Sequence, residues 1–118
     1  MKKNPNRNAR ATGSHAEALL LAQLVEQGYE ARRTHLSAFP DIIAWNYDEF
    51  LLIEVKARTT KAGATKSLSL FRSSVRNMTC VHKSATVLCY VRLNGHWNAY
   101  MWCNNNTKQV APVVAQET

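Results

Sequence analysis

The stretch from Phe39 to Lys56, FPDIIAWNYDEFLLIEVK, constrains the fold of this chain more than any other. Ile42 to Trp45 is one short apolar run, and Phe50 to Val55 is a second, interrupted only by Glu54, so together they predict a β-hairpin with a buried side. If Tyr47 and Asp48 alone form the turn, Asn46 pairs with Glu49, Ile43 falls opposite Leu52, and Asp41 falls opposite Glu54 on one face. Side chains alternate along a strand, which puts Lys56 on that same face. Two carboxylates and an ammonium are thus expected at one sheet edge. The inference rests on register, because a one-residue slip would turn one strand's side chains over, and the turn has no Asn-Gly or Asp-Gly to fix it. Charges inside an apolar strand are seldom buried unless paired or bound to a metal. For a bare E-x-K, a strand with one solvated face is the alternative.

Pro40-Asp41 at the head of the first strand and Glu54-Val55-Lys56 at the end of the second resemble the signature of the PD-(D/E)XK nuclease superfamily. Within it, the chain resembles the archaeal Holliday junction resolvases. The resemblance runs, more loosely, from about Gly13 to Trp102. It implies an α+β chain with a restriction-endonuclease-like core, a mixed sheet flanked by helices, in the order α-β-β-β-α-β-β. It also implies Mg²⁺-dependent endonuclease chemistry, with Mn²⁺ as a substitute, on DNA that is branched as a four-way junction, carried out by a homodimer. Asp41 and Glu54, with Glu17 and the backbone carbonyl of Val55, would hold the cation through oxygen ligands. Lys56 would orient the attacking water or offset transition-state charge. Three other readings stay open: a nicking, flap-cleaving or restriction-type nuclease of the same superfamily, a non-catalytic nucleic-acid-binding module, and a small RNA-binding or ribosome-associated protein.

The 118 residues suit one domain, and 15 Lys and Arg against 8 Asp and Glu give a formal charge of +7, which calls for a polyanionic partner such as nucleic acid. No apolar run approaches the ~20 residues of a membrane helix and no signal-peptide core follows the first lysines, so the chain reads as cytoplasmic. Residues 1–12 carry Lys2, Lys3, Arg7 and Arg10 among Asn, Pro and Ala and read as a disordered arm, able to track phosphates or merely to solubilise. Residues 13–103 read as the single domain, and 104–118 as a polar tail.

Ser14 to Gln27 predicts an amphipathic helix with Ala18, Leu21, Leu24 and Val25 on its apolar face and Gly28 at its stop. Ser14 and Glu17 match the S-x-x-E capping box, while the resemblance implies a metal-binding acid at Glu17. Both roles stand open. His15 reads as a surface residue. Tyr29 to Thr34 alternates as a first strand with one polar face. In the loop before Pro40, Ser37 is the counterpart of the serine that resolvase-like nucleases carry, and an ordinary loop serine is the plainer reading. Arg32, Arg33 and His35 face phosphate in this scheme. Arg58, Lys61 and Lys66 read as an exposed basic loop beside the carboxylates, which a phosphodiester site needs because acids alone would repel DNA.

Ser67 to about His82 predicts the second helix, with Leu70, Phe71, Val75 and Met78 inward and Arg72, Arg76 and Lys83 as a basic stripe. Ala85 to Leu93 and Trp97 to Cys103 are strand signals joined by Asn94-Gly95. Cys80, Cys89 and Cys103 form no C-x-x-C pair and, even with His82, lack zinc spacing, so they read as buried reduced thiols. The absence of a Gly-rich phosphate loop and of G-x-S-x-G leaves nucleotide hydrolysis and serine-hydrolase chemistry without support.

Overall fold

The structure, a computed structural model, describes residues 5–35, 39–77 and 85–114, with the backbone alone for 5–12. Its elements are α1 (Pro5–Glu26), β1 (Glu30–Arg33), β2 (Ile42–Trp45), β3 (Phe50–Arg58), α2 (Lys61–Arg76), β4 (Thr86–Leu93), β5 (His96–Cys103) and β6 (Asn106–Val110). The strands form one six-stranded sheet in sequence order. β3 and β4 run parallel, joined through α2, and every other neighbouring pair is antiparallel. This is the α+β mixed sheet flanked by helices that the sequence predicts, with one more strand. Among the described residues no helix is long and apolar enough to cross a membrane.

Each face of the sheet carries a helix, and that explains the pattern of β3. Leu51, Ile53 and Val55 join Ala16, Leu20 and Leu24 of α1 in one core, whereas Leu52 packs with Val87, Cys89 and Val91 against Phe71 and Val75 of α2. A strand buried on both faces reads as a near-continuous apolar run instead of an alternating one. A carboxylate in such a run has no wet face to turn to. Burial of a side chain such as Phe71, 1% exposed, stabilises the fold by about 2–3 kcal/mol.

Several boundaries differ from the sequence reading. α1 begins at Pro5, not Ser14, so the arm expected over 1–12 is helical from Pro5 onward. Proline suits a first helical turn, where its missing N–H costs no bond, and the Ala-Arg-Ala run beyond it favours helix. The inward row of α1 is Ala16, Leu20 and Leu24, while Ala18 and Val25, expected in the apolar face, are exposed. The helix ends as predicted. Gly28 takes φ 95°, Tyr29 N–H reaches the Leu24 carbonyl at 3.0 Å and Gly28 N–H the Val25 carbonyl at 3.0 Å, a Schellman ending in which Tyr29 and Leu24 share the core.

α2 begins at Lys61 instead of Ser67, so Lys61 and Lys66 stand on a helix and not in a loop. Thr60 caps it, its hydroxyl accepting from Gly63 N–H at 3.0 Å. The tail expected from Asn104 is part of the sheet: Asn104 and Asn105 both adopt left-handed φ, 51° and 64°, and turn the chain into β6. Asparagine tolerates this conformation, which two-residue hairpin turns require. Beyond β6, Val113 N–H donates to Tyr90 Oη at 3.1 Å and Val114 is buried, tying residues to 114 into the α1-side core. Expectations for Lys2, Lys3, Ser37, Cys80, His82, Lys83 and the side chains of Arg7 and Arg10 lie outside the described residues.

Candidate functional site

The hairpin forms in the register that two turn residues demand. Ile43 pairs with Leu52 and Ile42 with Ile53, and Asn46 N–H bonds the Glu49 carbonyl at 3.0 Å. Asn46 replaces the glycine that the turn lacks. Its Oδ1 accepts from Asp48 N–H at 2.9 Å and Glu49 N–H at 2.8 Å, closing the loop through its own side chain.

At the other end of the hairpin, Asp41 N–H donates to the Ile53 carbonyl at 2.8 Å, although the ladder pairs Ile53 with Ile42. Two residues thus face one, as in a β-bulge, a device that re-aims a side chain. Pro40 has no N–H to extend the ladder. The Asp41 carboxylate takes over instead: Oδ2 accepts the Val55 N–H at 2.8 Å. In a strand, the N–H and C=O of one residue point the same way, so the Val55 carbonyl opens toward Asp41.

Glu54 and Lys56 lie on the α2 side of β3, above Cys89 and Val91, their neighbours on β4. The Glu54 side chain is 10% exposed and that of Lys56 31%, with Nζ 4.0 Å from Oε1. The Asp41 and Glu54 carboxyl groups are close enough to act on one another. Burial first, then the neighbouring Asp41 side chain and its like charge, push Glu54 up to about 8; Lys56 pulls the other way, and the charge of Glu17 adds a smaller rise. Below Glu54, burial foremost and then the charge of Glu54 push the Cys89 thiol up to about 12, leaving it an inert core group. The donor set is two carboxylates and a carbonyl. Hard oxygen donors of this kind suit Mg²⁺, which keeps several waters and needs few protein ligands, and a divalent cation would relieve the like-charge pair that otherwise holds a proton.

Glu17 is not a helix cap. It lies well inside α1, and its Oε2 accepts from Arg33 Nη2 at 2.6 Å; the same nitrogen donates to Ser14 Oγ at 3.2 Å. The capping-box reading fails because the helix starts nine residues upstream of Ser14. Among the described residues no three His, Cys, Asp or Glu side chains form a metal-holding group, so Glu17 stands apart from Asp41 and Glu54 in this arrangement.

The basic residues divide. Arg32 is exposed, and Lys61 and Lys66 are exposed on the first turns of α2, where they follow Lys56 and Arg58. Arg58 folds back to the Ala57 carbonyl at 2.7 Å. Arg33 is spent on Glu17. Arg72 donates to Thr107 Oγ1 at 3.0 Å, and Arg76 lies over the Trp102 ring at 5.6 Å, so these two members of the expected stripe fasten α2 to β6 and β5. The sequence reading missed these bonds because β6 was not expected.

The fold has a counterpart among solved structures. Archaeoglobus fulgidus Hjc, a Holliday junction resolvase from an archaeal hyperthermophile, superposes with a TM-score of 0.50, covering 80% of each chain at 24% identity. The chain shares the fold of this resolvase. No protein-family model and no curated protein matches the sequence. In this resolvase-like fold the hairpin β2–β3 is the element that gathers Asp41, Glu54 and Lys56.

Proposed function

We propose that the protein is a metal-dependent DNA endonuclease that hydrolyses phosphodiester bonds, with a four-way junction as its substrate and a homodimer as its working form. The observation that carries this is the meeting of Asp41, at the head of β2, with Glu54 and Lys56, which stand in a strand whose preceding residues are apolar on both faces. A carboxylate in that position costs stability, and a cation site accounts for that cost. Asp41, Glu54 and the Val55 carbonyl would hold Mg²⁺, with Glu17 as a further ligand. When bound, the cation supplies positive charge to a phosphate oxygen and lowers the pKa of a water. Lys56, a compact ammonium at the mouth of the site, orients the attacking water and offsets charge developing on the phosphate. Asp41 also fixes the Val55 amide, keeping the carbonyl and the carboxylates in one frame. Arg32, Arg58, Lys61 and Lys66 guide the backbone of DNA to an otherwise acidic centre, in keeping with the net charge of +7. A two-fold dimer would present two such centres to opposed strands.

The test compares cleavage of a labelled four-way junction and of linear duplex with the same arms, in Mg²⁺ or EDTA, by wild type and Glu54→Ala. Paired symmetric nicks in the junction alone, lost in EDTA and in the variant, are expected. Equal cutting of both substrates would keep the nuclease and remove the junction selectivity. Binding without any cutting, unchanged in Glu54→Ala, would make the protein a nucleic-acid-binding module. Full activity from a species that light scattering shows to be monomeric would refute the dimer.

A further inference from the structure

The ion pair between Arg33 and Glu17 sits beside the carboxylate pair without being part of it. Arg33 and Ile42 are the last pair of their ladder, so the ion pair lies where the β1–β2 ladder stops beside β3, which runs on to Arg58. The next residue, Thr34, donates its N–H to the Asp41 carbonyl at 3.0 Å. Glu17 is near enough that its charge acts on Glu54. Both side chains of the pair keep partial access to water, 27% for Arg33 and 22% for Glu17. A part-buried, charge-assisted bond of 2.6 Å yields only to a partner that replaces it in kind. A guanidinium forks onto phosphate as readily as onto carboxylate, with two parallel N–H···O bonds.

We propose that Arg33 is a substrate-operated clamp: in the free protein it holds Glu17 away from Asp41 and Glu54, and a DNA backbone phosphate takes the guanidinium and releases Glu17 to join them around the cation. This rests on the nuclease reading above and adds an order of events to it. At Arg33 the exchange trades one charge-assisted pair for another. The freed carboxylate then gains the cation as its partner. The site is therefore two-carboxylate before DNA arrives and three-carboxylate after. Thermodynamic reciprocity follows: DNA tightens cation binding by the same factor by which the cation tightens DNA binding.

The experiment is a Mn²⁺ titration followed by electron paramagnetic resonance, in a Lys56→Ala background so that no cleavage intervenes, with and without a four-way junction. The proteins are the background itself and the same chain carrying Arg33→Gln, Glu17→Gln or both, each checked by circular dichroism for an intact fold. Without DNA, Arg33→Gln is expected to bind Mn²⁺ about tenfold more tightly than the background, an ordinary size for coupling between two sites. Glu17→Gln should not tighten binding, since the loss of its carboxylate removes a nearby negative charge and leaves Arg33 without that partner, and the double variant should lose the tightening that Arg33→Gln gives. With the junction, the background should tighten by about the same factor and Glu17→Gln should not. Mn²⁺ affinity in Arg33→Gln no tighter than the background, or tightening by DNA that survives Glu17→Gln, overturns the clamp, and Mg²⁺-dependent cleavage by wild type would then leave the nuclease reading standing. Absence of Mn²⁺ binding in every protein, with and without DNA, overturns both.

Discussion

Glu54→Gln should abolish the fall of stability with rising pH that this acid imposes on the metal-free protein. The Glu54 carboxyl, 4.5 in an ordinary setting, rises to about 8 in the fold, chiefly through burial and secondly through Asp41. Between those two values the folded chain keeps the proton and the unfolded chain has lost it. The folded state thus binds more protons, and stability must fall as pH rises through the window. It is intact below about pH 4.5 and lost above about pH 8. At roughly 1.4 kcal/mol for each pH unit, the loss is about 3 kcal/mol by pH 7 and about 5 kcal/mol by pH 9. For a domain of this size, roughly 4 °C of thermal midpoint accompany each kcal/mol, so wild type should lose about 12 °C between pH 4.5 and pH 7 from this group alone.

Glutamine has nearly the volume of the acid, and its amide N–H can donate to the Asp41 carboxylate as the protonated acid can. The variant therefore resembles a permanently protonated Glu54. Thermal melts in EDTA from pH 5 to 9 should show a falling midpoint for wild type and a flat one for Glu54→Gln, with the variant the more stable at pH 8. Parallel curves would refute the argument, because they would mean that Glu54 titrates alike in folded and unfolded chains. On the proposed function, Mg²⁺ at 100 times its dissociation constant should restore about 2.7 kcal/mol to wild type at pH 8 and nothing comparable to the variant.

Two further substitutions probe the supports of the site. Gly28→Ala meets no atom within 4 Å of its new Cβ but must hold φ +95°, so its cost is pure backbone strain of about 1–2 kcal/mol in urea unfolding; an unchanged midpoint would show that α1 does not need the left-handed ending. Asn46→Ala deprives the Asp48 and Glu49 amides of an acceptor at 2.9 and 2.8 Å, which should cost about 1–2 kcal/mol and, by loosening the register, lower cleavage as well. Retention of both stability and activity would mean that strand pairing alone sets the hairpin.

What could be read from the sequence was what depends on near neighbours. The hairpin register came out right because two apolar runs only four residues apart leave little freedom for the turn, and in the structure the Asn46 side chain closes it in place of a glycine. Glu54 stood out for a physical reason: β3 is buried on both faces, so every other position up to Val55 had to be apolar. The element ends were less legible. Ser14-x-x-Glu17 has the form of a cap and lies inside a helix, whereas the true cap of α2, Thr60, is followed by Lys-Ala-Gly and lacks the acid that usually advertises one. The Asn104-Asn105 turn was passed over because the strand after it, Asn106-Thr-Lys-Gln-Val110, is polar; as an edge strand it needs few apolar side chains.

The partners of charged groups were the least legible part, since they depend on which face each helix covers. Glu17 and Arg33 are 16 residues apart in sequence, and neither shows a pattern that would pair them. They meet because α1 lies over the sheet face to which Arg33, beside Ala31 in alternation, also points. Glu54 and Lys56 point to the other face, under α2. Glu17 and Glu54, the two acids that the proposed function assigns to one site, thus stand on opposite faces of the sheet. That geometry makes Arg33 the residue whose substitution separates a preassembled site from one that substrate completes.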